Sequence, residues 1–299
     1  MGLVLLSAPI SYLQAIVLGL LQGVSELFPI SSLGHSVILP SLLGWDLHQR
    51  ADYFLAFLVA LHMATALTLL GFFWRDWVRI VRGLVRSVRD RGLEPDNVDG
   101  RLGWLLIVGT IPAGLLGLAL QNPLQRLFGS PRAAAAFLVA NGVLLLAADR
   151  LRRRPVRPAA TDADGDGDGD DRIATTTGWR GALGVGTAQA LALVPGFSRS
   201  GAAISGGLAV GLDHEDAARY AFLLATPIIG AAGLLKLPTL FGSQGNGVRG
   251  QALVAAVCAA AAAYVSVRFL MRWFETNRLT PFAVYSIVAG LACSVYLAR

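Results

Sequence analysis

The sequence predicts an all-α polytopic membrane protein built as an inverted-topology repeat, with one re-entrant helical hairpin and three transmembrane helices in each half. Hydrophobic residues make up 55% of the 299-residue chain and charged residues only 15%, which is typical of an integral membrane protein and not of a large soluble domain. Apolar runs alternate with short arginine-rich segments, as the positive-inside rule describes. A polar motif near the start of the chain also returns, in related form, in the second half.

The returning motif indicates that the two halves are related. Residues 22–38 read QGVSELFPISSLGHSVI, and residues 189–204 read QALALVPGFSRSGAAI. When Pro29 is aligned with Pro195, a serine and an isoleucine further along also coincide. A match of this kind within similar hydropathy is the sequence signature of a duplicated membrane protein.

The first repeat is predicted to cover residues 1–149. Its apolar arms over 10–44 surround a polar tip, and neither arm reaches the roughly 20 residues that a span needs, so we interpret them as a re-entrant hairpin. Three longer apolar runs follow and are predicted as spans: 53–74, 102–120 and 131–148.

Residues 150–178 are predicted to be a disordered linker, since they begin with five arginines and continue as TDADGDGDGDD. A calcium loop is the alternative, but a frame that starts at Asp164 has Thr175 where an EF-hand requires glutamate. The composition therefore favours the linker. The second repeat, 179–299, has the same plan as the first, with a hairpin and three spans: 179–212, 217–235, 252–270 and 281–297.

The arginines predict the orientation of the chain. Because the first half crosses the membrane three times, the second half has the opposite orientation in the membrane. The arginine-rich segments all fall on the predicted cytoplasmic side: 75–101, the start of the linker and 268–278. This distribution accounts for the net charge of +6 without a nucleic-acid partner. The two hairpins then enter from opposite sides, and their polar tips are expected to meet near the middle of the bilayer.

The second tip is suited to binding an anion. Arg199 stands between Ser198 and Ser200 in an apolar, glycine-rich segment, followed by Gly201. An arginine at bilayer depth costs about 2.5 to 3.5 kcal/mol, so it is expected to face a cavity or an anionic partner. The two hydroxyls, the guanidinium and the N–H groups of a broken helix together suit phosphate or carboxylate. The alternative is a pair of capping serines beside an arginine that snorkels to the interface.

The first tip contains a carboxylate inside the membrane. Gln22 and Glu26 are four residues apart and therefore lie on one helical face. Glu26 requires a counter-charge, which either a divalent cation such as Mg²⁺ or Ca²⁺, with Gln22 as a further oxygen ligand, or Arg199 can provide. The two interpretations are compatible.

Ser31, Ser32 and His35 form the rest of the first tip. Both serines are candidate nucleophiles or phosphate ligands, and His35 is a candidate general acid or base because a histidine titrates near neutral pH. His62, inside the apolar run ALHMATAL, is interpreted as a histidine that packs between helices.

At these residues the sequence resembles a known family. The segment QGVSELFPISSLGH resembles the glutamate motif and serine-histidine tip of the undecaprenyl-diphosphate phosphatases, the bacitracin-resistance family, and PGFSRSGAAIS resembles their arginine motif. The resemblance covers nearly the whole chain. It implies hydrolysis of an isoprenoid diphosphate lipid to the monophosphate carrier, with a divalent cation, by a multi-pass protein of the cell membrane whose site faces the outer leaflet.

The resemblance also implies roles for individual residues. By position, Glu26 holds the metal or polarises the nucleophile, Ser32 is the proposed nucleophile, and His35 is the acid or base. Arg199, with Ser198 and Ser200, is implied as the diphosphate clamp. Whether Ser32 or water attacks is left open, as is a homodimer.

Three residues depart from the family pattern. Gln22 stands where many members have glutamate, and Leu33 and Ala203 replace usual threonines, which removes one negative charge and two hydroxyls around the phosphates. A polyprenyl-phosphate flippase or anion transporter is the competing interpretation, since broken helices at the midplane also bind anions in transporters. A catalytically idle binding protein is a third.

Overall fold

The computed structural model describes residues 9–45, 47, 51–125, 130–151, 169–242 and 245–298. The regular elements in these ranges are helices, and no strand occurs among them. In chain order they are α1 (Tyr12–Ser25), α2 (Ser32–Leu42), α3 (Asp52–Phe72), α4 (Trp74–Arg89), α5 (Val98–Gln125), α6 (Pro131–Leu151), α7 (Gly169–Gln189), a 3-10 turn (Ala190–Leu193), α8 (Arg199–Val210), α9 (His214–Phe241), α10 (Arg249–Thr276) and α11 (Thr280–Leu297).

Six of these helices are long and apolar enough to cross a membrane: α3, α5, α6, α9, α10 and α11. Each of the six spans predicted from hydropathy coincides with one of them. The all-α polytopic class is therefore confirmed. The helix pairs α1 with α2 and α7 with α8 occupy the two segments that were predicted as re-entrant hairpins.

The arginine-rich segment 75–101 is largely helical, because α4 occupies most of it. This helix buries Ile80, Gly83 and Ser87 and exposes most of its arginines. Such a strong separation of apolar and charged faces is typical of a helix that lies along the membrane surface. The 3.6-residue spacing was present in the sequence, but the charge density concealed it.

The C-terminal part of the predicted linker is helical in the structure. Residues 152–168 lie outside the described residues, but 169–177 are helical and form the start of α7, which bends at Gly178. The interpretation of 169–177 as disordered linker is therefore wrong. Asp170 and Arg172 explain the difference, because both form ion pairs with the rest of the protein.

Asp170 is the centre of this attachment. Its carboxylate accepts hydrogen bonds from Arg79 on α4 at 2.6 Å and from Arg219 on α9 at 2.9 Å, and its side chain is almost fully buried. Arg172 pairs with both carboxylate oxygens of Asp216, at 2.8 and 3.0 Å, and this pairing raises the pKa of Arg172 above its ordinary value. The acidic end of the linker is thus ordered by specific arginines on other helices.

The first arm of each hairpin packs against a long helix from the other half of the chain. In α1, a Cβ atom on Gly19 would lie 2.4 Å from the Ala255 carbonyl oxygen of α10. In α7, a Cβ atom on Gly186 would lie 2.3 Å from the Gly109 carbonyl oxygen of α5. Small residues allow this close approach, which is how helices associate in membranes. Both hairpins are therefore held by the opposite half.

Helices α3 and α9 pack against each other. They share a short stretch of sequence, AFLVAL at 56–61 and AFLLAT at 221–226. The reciprocal packing of the hairpins and this shared stretch support a duplicated architecture. The inverted relation between the halves stays a prediction.

Candidate active site

The two hairpin tips meet in the structure. The Ser200 hydroxyl donates to the Phe28 carbonyl oxygen at 3.4 Å, which joins the second tip to the first. A Cβ atom on Gly34 would lie 3.0 Å from the Gly196 Cα atom, and Gly196 has a φ of 109°, which favours glycine. The contact expected from the sequence is therefore formed by backbone as well as by side chains.

Asn141, a residue that the sequence analysis did not single out, joins the same two tips. Its amide nitrogen donates to the Pro29 carbonyl oxygen at 2.9 Å, and its amide oxygen accepts from the Ser198 backbone N–H at 3.0 Å. The side chain is fully buried in α6. Its amide nitrogen also donates to the Ser286 hydroxyl at 3.4 Å. Because the Pro29 and Ser198 partners are backbone groups of irregular segments, Asn141 fixes the distance between the tips.

Glu26 is the acceptor at the centre of the site. It follows the last residue of α1, and its carboxylate accepts from the Ser32 hydroxyl at 2.6 Å, the Gln22 amide at 3.0 Å and the Arg199 guanidinium at 3.1 Å. Glu26 and Arg199 are 6% and 12% exposed, so water screens this ion pair weakly. The predicted shared face of Gln22 and Glu26 and the pairing of Glu26 with Arg199 are both present.

His62 also faces Glu26, and its interpretation as a packing histidine was wrong. Its Nε2 atom is 3.5 Å from a Glu26 carboxylate oxygen, while its Nδ1 atom is 2.8 Å from the Leu58 carbonyl oxygen. A carbonyl can only accept, so Nδ1 carries a proton and Nε2 is the nitrogen directed at the carboxylate. The signal in the sequence was an ionisable residue inside a span, which by default indicates function.

Arg199 does not snorkel to the interface. Besides its bond to Glu26, it reaches the Ala221 carbonyl oxygen at 3.5 Å, and its Nε atom is buried without a hydrogen-bond partner among the described residues. The capping half of that alternative is correct, since the Ser198 hydroxyl caps α8 by accepting from the Gly201 N–H at 3.1 Å. The Gly201 N–H is therefore already used within the protein.

Ser200 and Ser198 are both buried, and their hydroxyl oxygens are 3.0 Å apart. In the first tip, the Ser31 hydroxyl caps α2 through the Gly34 N–H at 3.1 Å, and Ser31 has a positive φ of 72°. A non-glycine residue in this conformation is uncommon and occurs at strained sites. Three of the predicted phosphate-binding serines therefore also organise the tips.

His35 lies at the first tip, and the hydrogen-bond partners of its two ring nitrogens are groups other than the Glu26 carboxylate. Its Nδ1 atom is 2.7 Å from the Ser31 carbonyl oxygen, and its Nε2 atom is 2.9 Å from the Tyr285 hydroxyl, whose ring it stacks on. The structure thus groups Glu26, Ser32 and Arg199 directly and places His35 beside them with a different partner. Tyr285 had no distinguishing signal in the sequence.

Gln22 and Glu26 carry side-chain oxygens of the type that a hard divalent cation binds, although the Gln22 amide presents its nitrogen, and not its oxygen, to Glu26. The Gln22 amide oxygen is buried and lacks a hydrogen-bond partner among the described residues, so it can still accept a ligand. Among these residues, no group of three or more histidine, cysteine, aspartate or glutamate side chains could hold a metal. Two protein oxygens suit Mg²⁺ or Ca²⁺ only when phosphate and water complete the coordination.

These features define a class: a polytopic α-helical membrane protein with a buried carboxylate–arginine site between two helical tips. The comparison with known families is specific, because the model of the bacitracin resistance protein BacA family matches residues 15–292. The chain belongs to this family.

Similar proteins cover nearly the whole chain. A protein named undecaprenyl-diphosphatase from Mycolicibacterium paratuberculosis is 53% identical over 98% of this chain and 99% of its own length. Undecaprenyl-diphosphatase 2 from Frankia alni is 44% identical over 97% and 98%. The undecaprenyl-diphosphatase of Acidiphilium cryptum is 47% identical over 93% and 95%.

Proposed function

We propose that this protein is an undecaprenyl-diphosphate phosphatase that regenerates the monophosphate lipid carrier for cell-envelope glycan synthesis. Full-length similarity to proteins of that name supports the substrate. The observation that supports the chemistry is the arrangement of Ser32 and Arg199 on one carboxylate, Glu26. This arrangement places the Ser32 hydroxyl, the Glu26 carboxylate as a base and the Arg199 guanidinium together in a buried site.

Hydrolysis transfers the terminal phosphoryl group of the substrate to water. A nucleophilic oxygen bonds to the terminal phosphorus, the bridging P–O bond breaks, and the lipid monophosphate leaves with the bond electrons. Glu26 accepts the proton of the nucleophile. If Ser32 attacks, a phosphoserine forms and water then releases phosphate from it; if water attacks, Ser32 orients that water.

Arg199 stabilises the charge on the phosphoryl oxygens. Its guanidinium can present further N–H groups, including the unpartnered Nε, to an anion while one nitrogen keeps its bond to Glu26. Arg199 and Ser200 also begin α8, where the first N–H groups have no intrahelical acceptor. A preorganised cation in a water-poor site stabilises the transition state more than it would in water.

His35 is proposed to donate a proton from Nε2 to the leaving phosphate oxygen; Nε2 must first be protonated, because Nδ1 already donates to the Ser31 carbonyl. Tyr285 and the Ser31 carbonyl hold the imidazole ring in place, and the ring would exchange its bond with Tyr285 for one with the substrate. Gln22 and Glu26 are proposed to hold a divalent cation, Mg²⁺ or Ca²⁺. That cation would neutralise charge on the phosphate oxygens.

We place the protein in the plasma membrane, with the site open to the outer leaflet. The arginine-rich segments support this orientation because they are expected on the cytoplasmic side. The isoprenoid tail remains in the lipid phase while the diphosphate enters between the tips.

The proposal is tested by phosphate release from undecaprenyl or farnesyl diphosphate by the purified protein, with Mg²⁺, with Ca²⁺ and with chelator. We expect cation-dependent release, reduced by about 10²- to 10⁴-fold in His35→Ala, as for the loss of a general acid or base. Tyr285→Phe is the matched control, since it removes only the supporting hydroxyl and should have a much smaller effect. Folded protein that releases no phosphate would contradict the proposal and favour transport.

Asn141 is expected to support the reaction by positioning the tips. Asn141→Leu should lower kcat at least about tenfold with a smaller change in KM, because an error of about 1 Å in positioning costs much of the rate. Asn141→Asp retains the acceptor for Ser198 but donates to Pro29 only when protonated. Its activity should therefore recover as pH falls, relative to the wild type. An unchanged pH profile would contradict the positioning role.

A further inference from the structure

A surface groove of about 510 Å³ lies along the second half of α10, outside the site described above. It combines aromatic or apolar walls with two arginines and an asparagine. Its lining residues are Tyr264, Val265, Arg268, Phe269, Arg272, Trp273 and Asn277. Two of its aromatic side chains, Tyr264 and Phe269, are 49% and 45% exposed, so the groove faces the surroundings of the protein.

Arg268 and Arg272 lie one helical turn apart and on the same face of α10. Neither forms a salt bridge among the described residues. Like Arg268 and Arg272, several other arginines in those residues lack a carboxylate partner, whereas six have one: Arg79, Arg86, Arg89, Arg172, Arg199 and Arg219. Two adjacent guanidinium groups without a carboxylate form a local positive site for an anion.

The C-terminal end of the groove, with Arg272 and Trp273, lies near the depth of lipid headgroups, and Arg268 reaches that depth by extending its side chain. With 28 residues, α10 is about 42 Å long and exceeds a hydrocarbon core of about 30 Å, so its ends project into the interface. Arg272 is one turn from the end of the helix at Thr276, and Arg268 is two turns from it. Trp273 lies beside them, and tryptophan favours this interfacial region.

The inner wall of the groove is rigid. The ring of Phe269 stacks on Phe28 with centroids 5.8 Å apart and also on Trp273 at 5.7 Å. Tyr264 makes an edge contact with Phe72 on α3. Packed aromatic rings of this kind form a preformed surface for an acyl chain next to the two arginines.

We propose that this groove binds an anionic phospholipid, whose headgroup phosphate pairs with Arg268 and Arg272 while an acyl chain lies on Phe269 and Tyr264. Charge complementarity selects an anionic lipid over a zwitterionic one. The proposal does not depend on the phosphatase activity. It differs from ordinary snorkelling because it requires two guanidinium groups on one headgroup.

The test uses the full-length protein in phosphatidylcholine vesicles that contain spin-labelled phosphatidylglycerol or spin-labelled phosphatidylcholine, with bound lipid measured by electron paramagnetic resonance. We expect preferential association of phosphatidylglycerol, and a loss of roughly fivefold in this preference for each arginine removed, in Arg268→Gln and in the double variant Arg268→Gln/Arg272→Gln. Phosphate release should stay near the wild-type value and will show that the variants are folded.

The matched control is Arg86→Gln/Arg89→Gln, which removes the same formal charge from the exposed ion pairs of α4. It should leave the preference for phosphatidylglycerol unchanged. An equal loss in both double variants would show general electrostatic attraction only, and no loss in the α10 variant would show snorkelling only. Either result overturns the proposed site.

Discussion

Replacing Arg199 with alanine is expected to lower the rate of phosphate release by about 10³- to 10⁵-fold, the range measured when an arginine that neutralises a transferring phosphoryl group is supplied or removed. The loss should be seen mainly in kcat, since the cation is required most where charge accumulates in the transition state. The measurement is steady-state phosphate release in detergent.

Arg199→Lys separates charge from shape. Lysine keeps the positive charge but lacks the planar guanidinium that can bond to Glu26 and to phosphate at the same time. We therefore expect Arg199→Lys to be only slightly more active than Arg199→Ala. Arg199→Ala should also destabilise the protein by about 3 to 5 kcal/mol, because Glu26 would remain buried without its counter-charge. Arg199→Ala/Glu26→Gln should recover stability and not activity. Near-normal turnover in Arg199→Ala would exclude the clamp.

Glu26→Gln is expected to lower kcat by about 10²- to 10⁴-fold, since it removes the group that accepts the proton of the nucleophile. The amide has nearly the same shape as the carboxylate, but it cannot accept from Ser32, Gln22 and Arg199 in the same way. Rates measured with and without added cation will also show whether the cation affinity falls with the carboxylate.

Ser32→Ala decides how Glu26 acts. If Ser32 is the nucleophile, Ser32→Ala should be as inactive as Glu26→Gln, and the double variant should be no worse, because residues that act as a unit are not additive. If water is the nucleophile, Ser32→Ala should retain measurable activity. Full activity in Glu26→Gln would exclude Glu26 as the base.

The sequence was most informative where a single physical rule applied. Apolar length alone located the six candidate membrane helices, because a span must satisfy its backbone hydrogen bonds internally. The pairing of Glu26 with Arg199 followed from the cost of two isolated charges in an apolar environment, although their positions are far apart in the chain.

The sequence was less informative where tertiary contacts decide. The helical state of 169–177 depends on arginines in α4 and α9, which local composition does not reveal. Asn141 and His62 were polar residues within apolar spans and could have been recognised by that rule. Tyr285 could not, since an aromatic residue in a span most often packs. The orientation of His35 toward Tyr285 also depends on packing of distant helices.

The exchange of hairpin partners between the two halves has a consequence for biosynthesis. The first hairpin arm, α1, leaves the ribosome long before α10. The glycines of α1 pack closely against the backbone of α10. Before α8 is made, Glu26 also lacks its partner Arg199. The Glu26 carboxylate must therefore stay near the membrane interface or in a site that is shielded from lipid. Insertion of the first hairpin is therefore expected to be a late event, completed only when the last third of the chain has entered the membrane.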